Sequence, residues 1–234
     1  MRKIVLFRMF GQPKKFSPSS LKTLMQLPSD TWFVEYVENN IWDASLQKLA
    51  EYGPLLQLEM TCGYYGRKPT GKMDVERPKV RQKADIWVRE GDRLALATDL
   101  PSKLSPIGEA LLSASFYAMY GQVEVLTFDK ERFKRLLEKV EKQGKLTCVH
   151  LRNVNLPEGH RTVYQTSESR GLGERERIAI ENCTKIKRLG FHLQLGEDFY
   201  SLWIDDNGSG TLYQPSPPQP HQLGKLLEFF RGLE

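Results

Sequence analysis

Seven basic side chains, Arg67, Lys68, Lys72, Arg77, Lys79, Arg81 and Lys83, fall between positions 67 and 83, against only Asp74 and Glu76. The chain holds 34 Lys and Arg and 29 Asp and Glu, so 27 of each sign remain outside this stretch. The whole net charge of +5 is therefore local. Cations gathered in this way neutralise phosphates and release their counterions. Tyr64 and Tyr65 stand immediately before the run, where aromatic rings can stack on unpaired bases. The chemistry this points to is non-catalytic association with nucleic acid through a basic loop. Sequence specificity should be low, because phosphate contacts position a protein without reading bases.

Two other classes fit the same residues. An interaction or assembly protein would use the basic loop against an acidic partner and cover Trp32, Phe33 and Trp42 on binding, with no nucleic acid involved. An enzyme on a phosphorylated substrate would use Lys72 and its neighbours as an anion site beside a concave pocket. Nucleic acid, a protein partner and a second copy of the chain are thus the partners the sequence admits.

Gly66 to Lys72 matches G-x-x-x-x-G-K, in which backbone N–H groups cradle phosphates and the lysine reaches the terminal ones. The next residue should be a magnesium-binding Ser or Thr, and here it is Met73. Pro78 follows where a helix should run, so the segment reads as a basic loop. Asp205, Asn207 and Gly210 mimic the start of a calcium loop, yet the twelfth position is Ser216 rather than glutamate. A hairpin turn is the better reading. Cys148 and His150 share one face of a strand without a second pair at zinc spacing. No G-x-S-x-G elbow or cysteine signature is found. The sequence therefore assigns no catalytic residue, metal or cofactor. The proline-rich piece from Gln214 to Pro220 reads as a stiff connector before the last helix.

The elements that must position these residues follow from hydrophobic period. Strands are expected at Lys3 to Phe10, Thr31 to Val37, Leu55 to Cys62, Val123 to Phe128 and Leu146 to Leu151. Hairpins are expected at 84–98, turning at Gly91-Asp92, and at 191–204, with a further turn at Asn207-Gly208. Ser17-Pro18 and Ser105-Pro106 look like helix starts. Trp42, Leu46, Leu49 and Ala50 make a helical face that Gly53-Pro54 would stop. Phe133, Leu136, Leu137 and Val140 form the clearest helical stripe, with Gly144 at its end. Residues 155–185 read as a loop leading into a short helix. Leu223, Leu226, Leu227 and Phe230 mark the last helix.

Hairpins feeding helices predict an α+β fold, an antiparallel sheet with amphipathic helices packed on one face. A hairpin, a connection and a helix recur at 84–120 and at about 186–233, which suggests two related units. The basic loop suggests a boundary between residues 1–83 and 84–234, unless the two form one continuous domain. With 234 residues, 40% of them hydrophobic and 27% charged, the chain can bury a sizeable core. No stretch approaches the roughly 20 apolar residues of a membrane span. The short apolar run before Arg8 reads as a strand rather than a leader. Three scattered cysteines, Cys62, Cys148 and Cys183, argue for a reducing, cytoplasmic setting.

Overall fold

In the computed structural model, residues 2–9, 34–36, 40–67, 80–89, 92–99, 123–168, 172–214 and 216–234 are described, of which 34–36, 40–48, 62–67 and 80–82 enter as backbone. Their contacts divide the chain into two units, Val5–Val125 and Leu126–Glu234 with Met1–Ile4. Both are built on antiparallel sheet with few helices. No helix among the described residues is long and apolar enough to cross a membrane.

The first unit contains β2 (Val34–Tyr36), β3 (Asn40–Tyr52), β4 (Leu55–Arg67), β5 (Val80–Arg89), β6 (Leu94–Thr98) and β7 (Val123–Val125). These strands follow the order β2-β3-β4-β5-β6 and then the Val5–Met9 part of β1 (Arg2–Met9), which β7 also pairs. Every position of β6 is buried, the apolar run from Leu94 to Ala97 together with the polar Thr98. Leu6, Phe7, Leu56, Leu58, Met60 and Ile86 fill the core around it. The hairpin expected around Gly91-Asp92 is present, with β5 and β6 paired antiparallel and Asp92 N–H donating to the Arg89 carbonyl at 3.1 Å.

Trp42 to Ala50 is not a helix. These residues belong to β3, paired with β4 from Asn40/Arg67 to Tyr52/Leu55. The apparent 3.6-residue period arises from a bulge. Lys48 faces Leu58 while Ala50 faces Gln57, so Leu49 is the extra residue and stands 48% exposed. Gly53, at φ 60°, turns the β3–β4 hairpin instead of capping a helix.

The second unit runs α1 (Lys130–Gln143), β8 (Gly144–Leu156), β9 (Gly159–Ser167), α2 (Glu174–Glu181), β10 (Cys183–Leu195), β11 (Asp198–Asp205), β12 (Ser209–Tyr213) and α3 (Pro220–Phe230). The strand order is β12-β11-β10-β8-β9, with the Arg2–Ile4 part of β1 beside β12. Asp129 caps α1 by accepting the Arg132 N–H at 2.7 Å. Phe133, Leu136 and Val140 are its buried stripe, each worth roughly 1.5–3 kcal/mol on burial. Leu189, Phe191 and Leu193 of β10 are fully buried, and Phe191 meets Phe229 of α3 at 6.2 Å between ring centres. Tyr200 hydroxyl donates to the Gln222 carbonyl at 3.0 Å, and burial pushes its pKa far up, so it stays a neutral donor.

Strand β9 lies within the stretch read as a loop. Nearly all its residues are exposed, which removes the apolar alternation that marks a strand. Nothing among the described residues supports the supposed recurrence of 84–120 at 186–233 as a duplicated unit. The second stretch is a three-strand meander, β10 to β12, running into α3, and the described part of the first is the single hairpin β5–β6. The helix starts expected at Ser17 and Ser105 lie outside the described residues.

Gly144 ends α1 as expected, but in extended backbone at φ −174°, where any residue is allowed. Its reason is space. A Cβ there would stand 2.0 Å from the His192 carbonyl oxygen on β10. Because backbone cannot yield as a side-chain tip does, Gly144→Ala should cost about 1–3 kcal/mol. Chemical denaturation should show it as a lower midpoint at unchanged m-value.

Asp198 opens β11 and ties it to α3, accepting from Lys225 Nζ at 2.6 Å and Gln222 Nε2 at 2.8 Å. The Lys225 bond, then the Gln222 bond, hold its carboxyl below the ordinary 3.8. The folded chain thus binds this proton less readily than the unfolded one. The contribution is complete above the ordinary value and fades as pH falls through the depressed one. Asp198→Asn should therefore lower the melting temperature more at pH 7 than at an acidic pH below the ordinary 3.8. Equal losses at both pH values would rule out the ionic contribution.

Candidate functional site

The basic residues singled out by the sequence occupy the first unit. Tyr64, Tyr65 and Arg67 end β4, and Arg81 and Lys83 open β5, in register with Gly63 and Thr61. The segment between them therefore links two paired strands. Lys68, Lys72, Arg77 and Lys79 lie outside the described residues, as does most of the G-x-x-x-x-G-K stretch. Lys83 is 66% exposed, and its ammonium pairs with Glu59 at 2.8 Å. One cation of the seven thus finds an acidic partner within its own sheet. An exposed pair of this kind contributes little stability, about 0.2–1 kcal/mol.

A second concentration of aromatic and charged groups lies in the other unit, on the sheet face opposite Leu189, Phe191 and Leu193. Antiparallel register lines up Gln165, His150, Arg188 and Asp205 across β9, β8, β10 and β11. The next row is Ser167, Cys148, Gly190, Trp203 and Thr211. Residues directly opposite point to the same side, so each row is a line of neighbours.

Arg188 is the centre of this face. Its Nε and Nη2 donate to the two carboxylate oxygens of Asp205, the latter at 3.1 Å. Its guanidinium lies 5.0 Å from the centre of the Trp203 indole. Trp203 in turn meets Tyr213 at 5.3 Å between ring centres. Phe199, at the start of β11, is 61% exposed and lies 5.4 Å from the His192 ring. The Asp205 hydrogen bond raises the Arg188 pKa further, so this cation is permanent.

Burial, then the positive charges of Arg152 and Arg188, lower the His150 pKa. The imidazole is consequently neutral at physiological pH. Burial raises the Cys148 thiol, which makes it a poor nucleophile. Cys148 and His150 do share one face, but no group of three metal-ligating side chains occurs among the described residues. The Asp205 carboxylate is held by Arg188. Asn207 Oδ1 accepts from Ser209 N–H at 3.1 Å and from its hydroxyl at 2.6 Å. That is the hairpin turn read from the sequence, with Gly208 at φ 78°.

Nothing in the sequence reading had marked Arg188, Trp203, Tyr213 or Phe199 as a group. One signal was present. Tyr200, Leu202 and Ile204 alternate as a core face, which leaves Phe199, Trp203 and Asp205 on the other, and aromatic rings are unusual on a polar face. No protein-family model matches the chain, and no curated protein does.

The indole has a built seat. A Cβ on Gly190 would come within 2.5 Å of Trp203 Cδ1 and 2.7 Å of Cys148 Cβ. Gly190→Ala should lift Trp203 off the sheet, red-shift its emission and cost about 1–3 kcal/mol. Unchanged emission together with an unchanged melting temperature would show that the seat is not used.

Proposed function

We propose that the protein is a non-catalytic nucleic-acid-associated protein of low sequence specificity that holds single-stranded segments. Arg67, Lys68, Lys72, Arg77, Lys79, Arg81 and Lys83 contact phosphates, with Tyr64 and Tyr65 beside them as stacking groups. Trp203, Tyr213 and Phe199 receive unpaired bases on the sheet face of the second unit, where Arg152 supplies positive charge and Arg188, paired with Asp205, holds the indole in place. The observation that supports this reading is the set of partly exposed aromatic rings on one sheet face, Trp203 against Arg188 and Tyr213, and Phe199 beside His192. Such rings suit bases of any identity, because every base has a π-face, and stacking contributes about 1–3 kcal/mol per base. Duplexes, whose bases are already stacked, should bind less well.

The test is fluorescence anisotropy with labelled single- and double-stranded RNA and DNA over a salt series. The intact chain should bind single strands, with log K falling linearly against log salt. Neutralising Arg67, Lys68, Arg77, Lys79, Arg81 and Lys83 together should reduce that slope by several units. Trp203→Leu should weaken binding by roughly 5- to 100-fold at unchanged slope, since stacking releases no counterions. Absence of binding by the intact, folded chain at low salt would overturn the reading.

A further inference from the structure

Among the described residues, strand β9 ends the strand order of its unit, with β8 as its partner. It pairs with β8 from Cys148/Ser167 to Leu156/Gly159 without a register shift. The pairing skips Thr162, which stands opposite the left-handed Asn153 (φ 48°), and no other strand among the described residues pairs with the outer side of β9. Its residues are exposed apart from Tyr164, which is buried, and Thr166, which is half-buried. Sheet edges are ordinarily blunted by charged side chains, lysine above all, by proline, by a bulge, or by a covering helix or loop. From Gly159 to Ser167 there is no lysine, no proline and no acidic residue. At its middle stands Val163, 45% exposed. A long edge whose one permanent charge is Arg161 is suited to accept another strand.

We infer that β9 pairs antiparallel with the β9 of a second copy of this chain, about a twofold axis through Val163. The occupant follows from the residues. In this register Val163 meets Val163 of the other copy, and Thr162 meets Tyr164. Arg161 meets Gln165, His160 meets Thr166 and Gly159 meets Ser167. The exposed valine is buried against its own counterpart, and the one permanent charge faces an amide, so no like charges are opposed. A twofold contact must be self-complementary in this way, residue i meeting j as j meets i. The contact also continues the row of Gln165, His150, Arg188 and Asp205 from one copy into the other. This inference stands independently of nucleic-acid binding.

Cross-linking of the full chain tests both the contact and its register. Cβ atoms directly opposite in an antiparallel pair lie about 4.5–5.5 Å apart, so Val163→Cys should form a disulfide-linked dimer under mild oxidation. Gln165→Cys places its two copies about 14 Å apart at ~3.4 Å per residue, and should not cross-link. The unsubstituted chain is the control for its own thiols, of which Cys148 and Cys183 are buried. Light scattering should give twice the 27.0 kDa of one chain for the unsubstituted protein. For Val163→Lys, which opposes two charges on the axis at an exposed position, it should give one chain with unchanged circular dichroism. A monomeric unsubstituted protein, equal cross-linking at 163 and 165, or a dimer that survives Val163→Lys would each overturn the inference.

Discussion

Strand β10 must present Ile186, Leu189, Phe191 and Leu193 to the core, and Arg188, Gly190 and His192 to the other side. Strict alternation from Ile186 cannot do this. It would carry Arg188 and Gly190 inward and drive Leu189 and Phe191 out. The register shift between Ile186 and Arg188 supplies the missing step by adding one residue opposite β8. Lys187, the extra residue, reaches Asp206 at 2.9 Å. Burial opposes ionisation of that carboxyl, yet hydrogen bonds from Lys185 and Lys187 outweigh it and keep its pKa low. Without the shift, a guanidinium would be buried among phenylalanine and leucine side chains at a cost of several kcal/mol.

The rest of the second unit is arranged around that displaced residue. Once Arg188 faces outward it meets Asp205 directly across the ladder, and Trp203 two residues earlier falls opposite Gly190. The absence of a side chain at Gly190 lets the indole lie down within reach of the guanidinium. Gly144 acts similarly where α1 runs into β8, since only a bare Cα fits beside the His192 carbonyl. Two unrelated contacts, one on each side of β10, thus demand the smallest residue at two positions of neighbouring strands. Neither glycine has a positive φ, so close approach rather than backbone freedom accounts for both.

Where one periodicity ran undisturbed, the sequence was a sufficient guide. The stripe of Phe133, Leu136 and Val140 is buried in α1, and the alternation of Tyr200, Leu202 and Ile204 is buried in β11. Where a bulge intervened, it misled. Trp42, Leu46, Leu49 and Ala50 mimic a helix because Leu49 is one residue too many in a strand. Strand β9 was silent for a different reason, because an exposed edge needs no apolar face. The site was legible only in part. A basic run is visible as composition, whereas the neighbours of Trp203 come from three strands whose register no local pattern specifies. Gly190 carried no signal at all, since its role depends on a side chain thirteen positions away.

The division of β1 has a consequence for the order of events during synthesis. Arg2–Ile4 belong with the second unit, beside β12, and Ile4 Cγ1 lies within 3.1 Å of where a Cβ on Gly210 would stand. The remainder of β1 belongs with Val5–Val125. A ribosome delivers Ile4 roughly 200 residues before Gly210, an interval of about 10–40 s at roughly 5–20 residues per second. The first unit's last described strand, β7, is complete at Val125, and from then until β12 appears the opening residues of the chain have no β12 to join. The second unit's sheet therefore joins strand segments made far apart in time, and the pairing beside β12 waits until that strand has been synthesised.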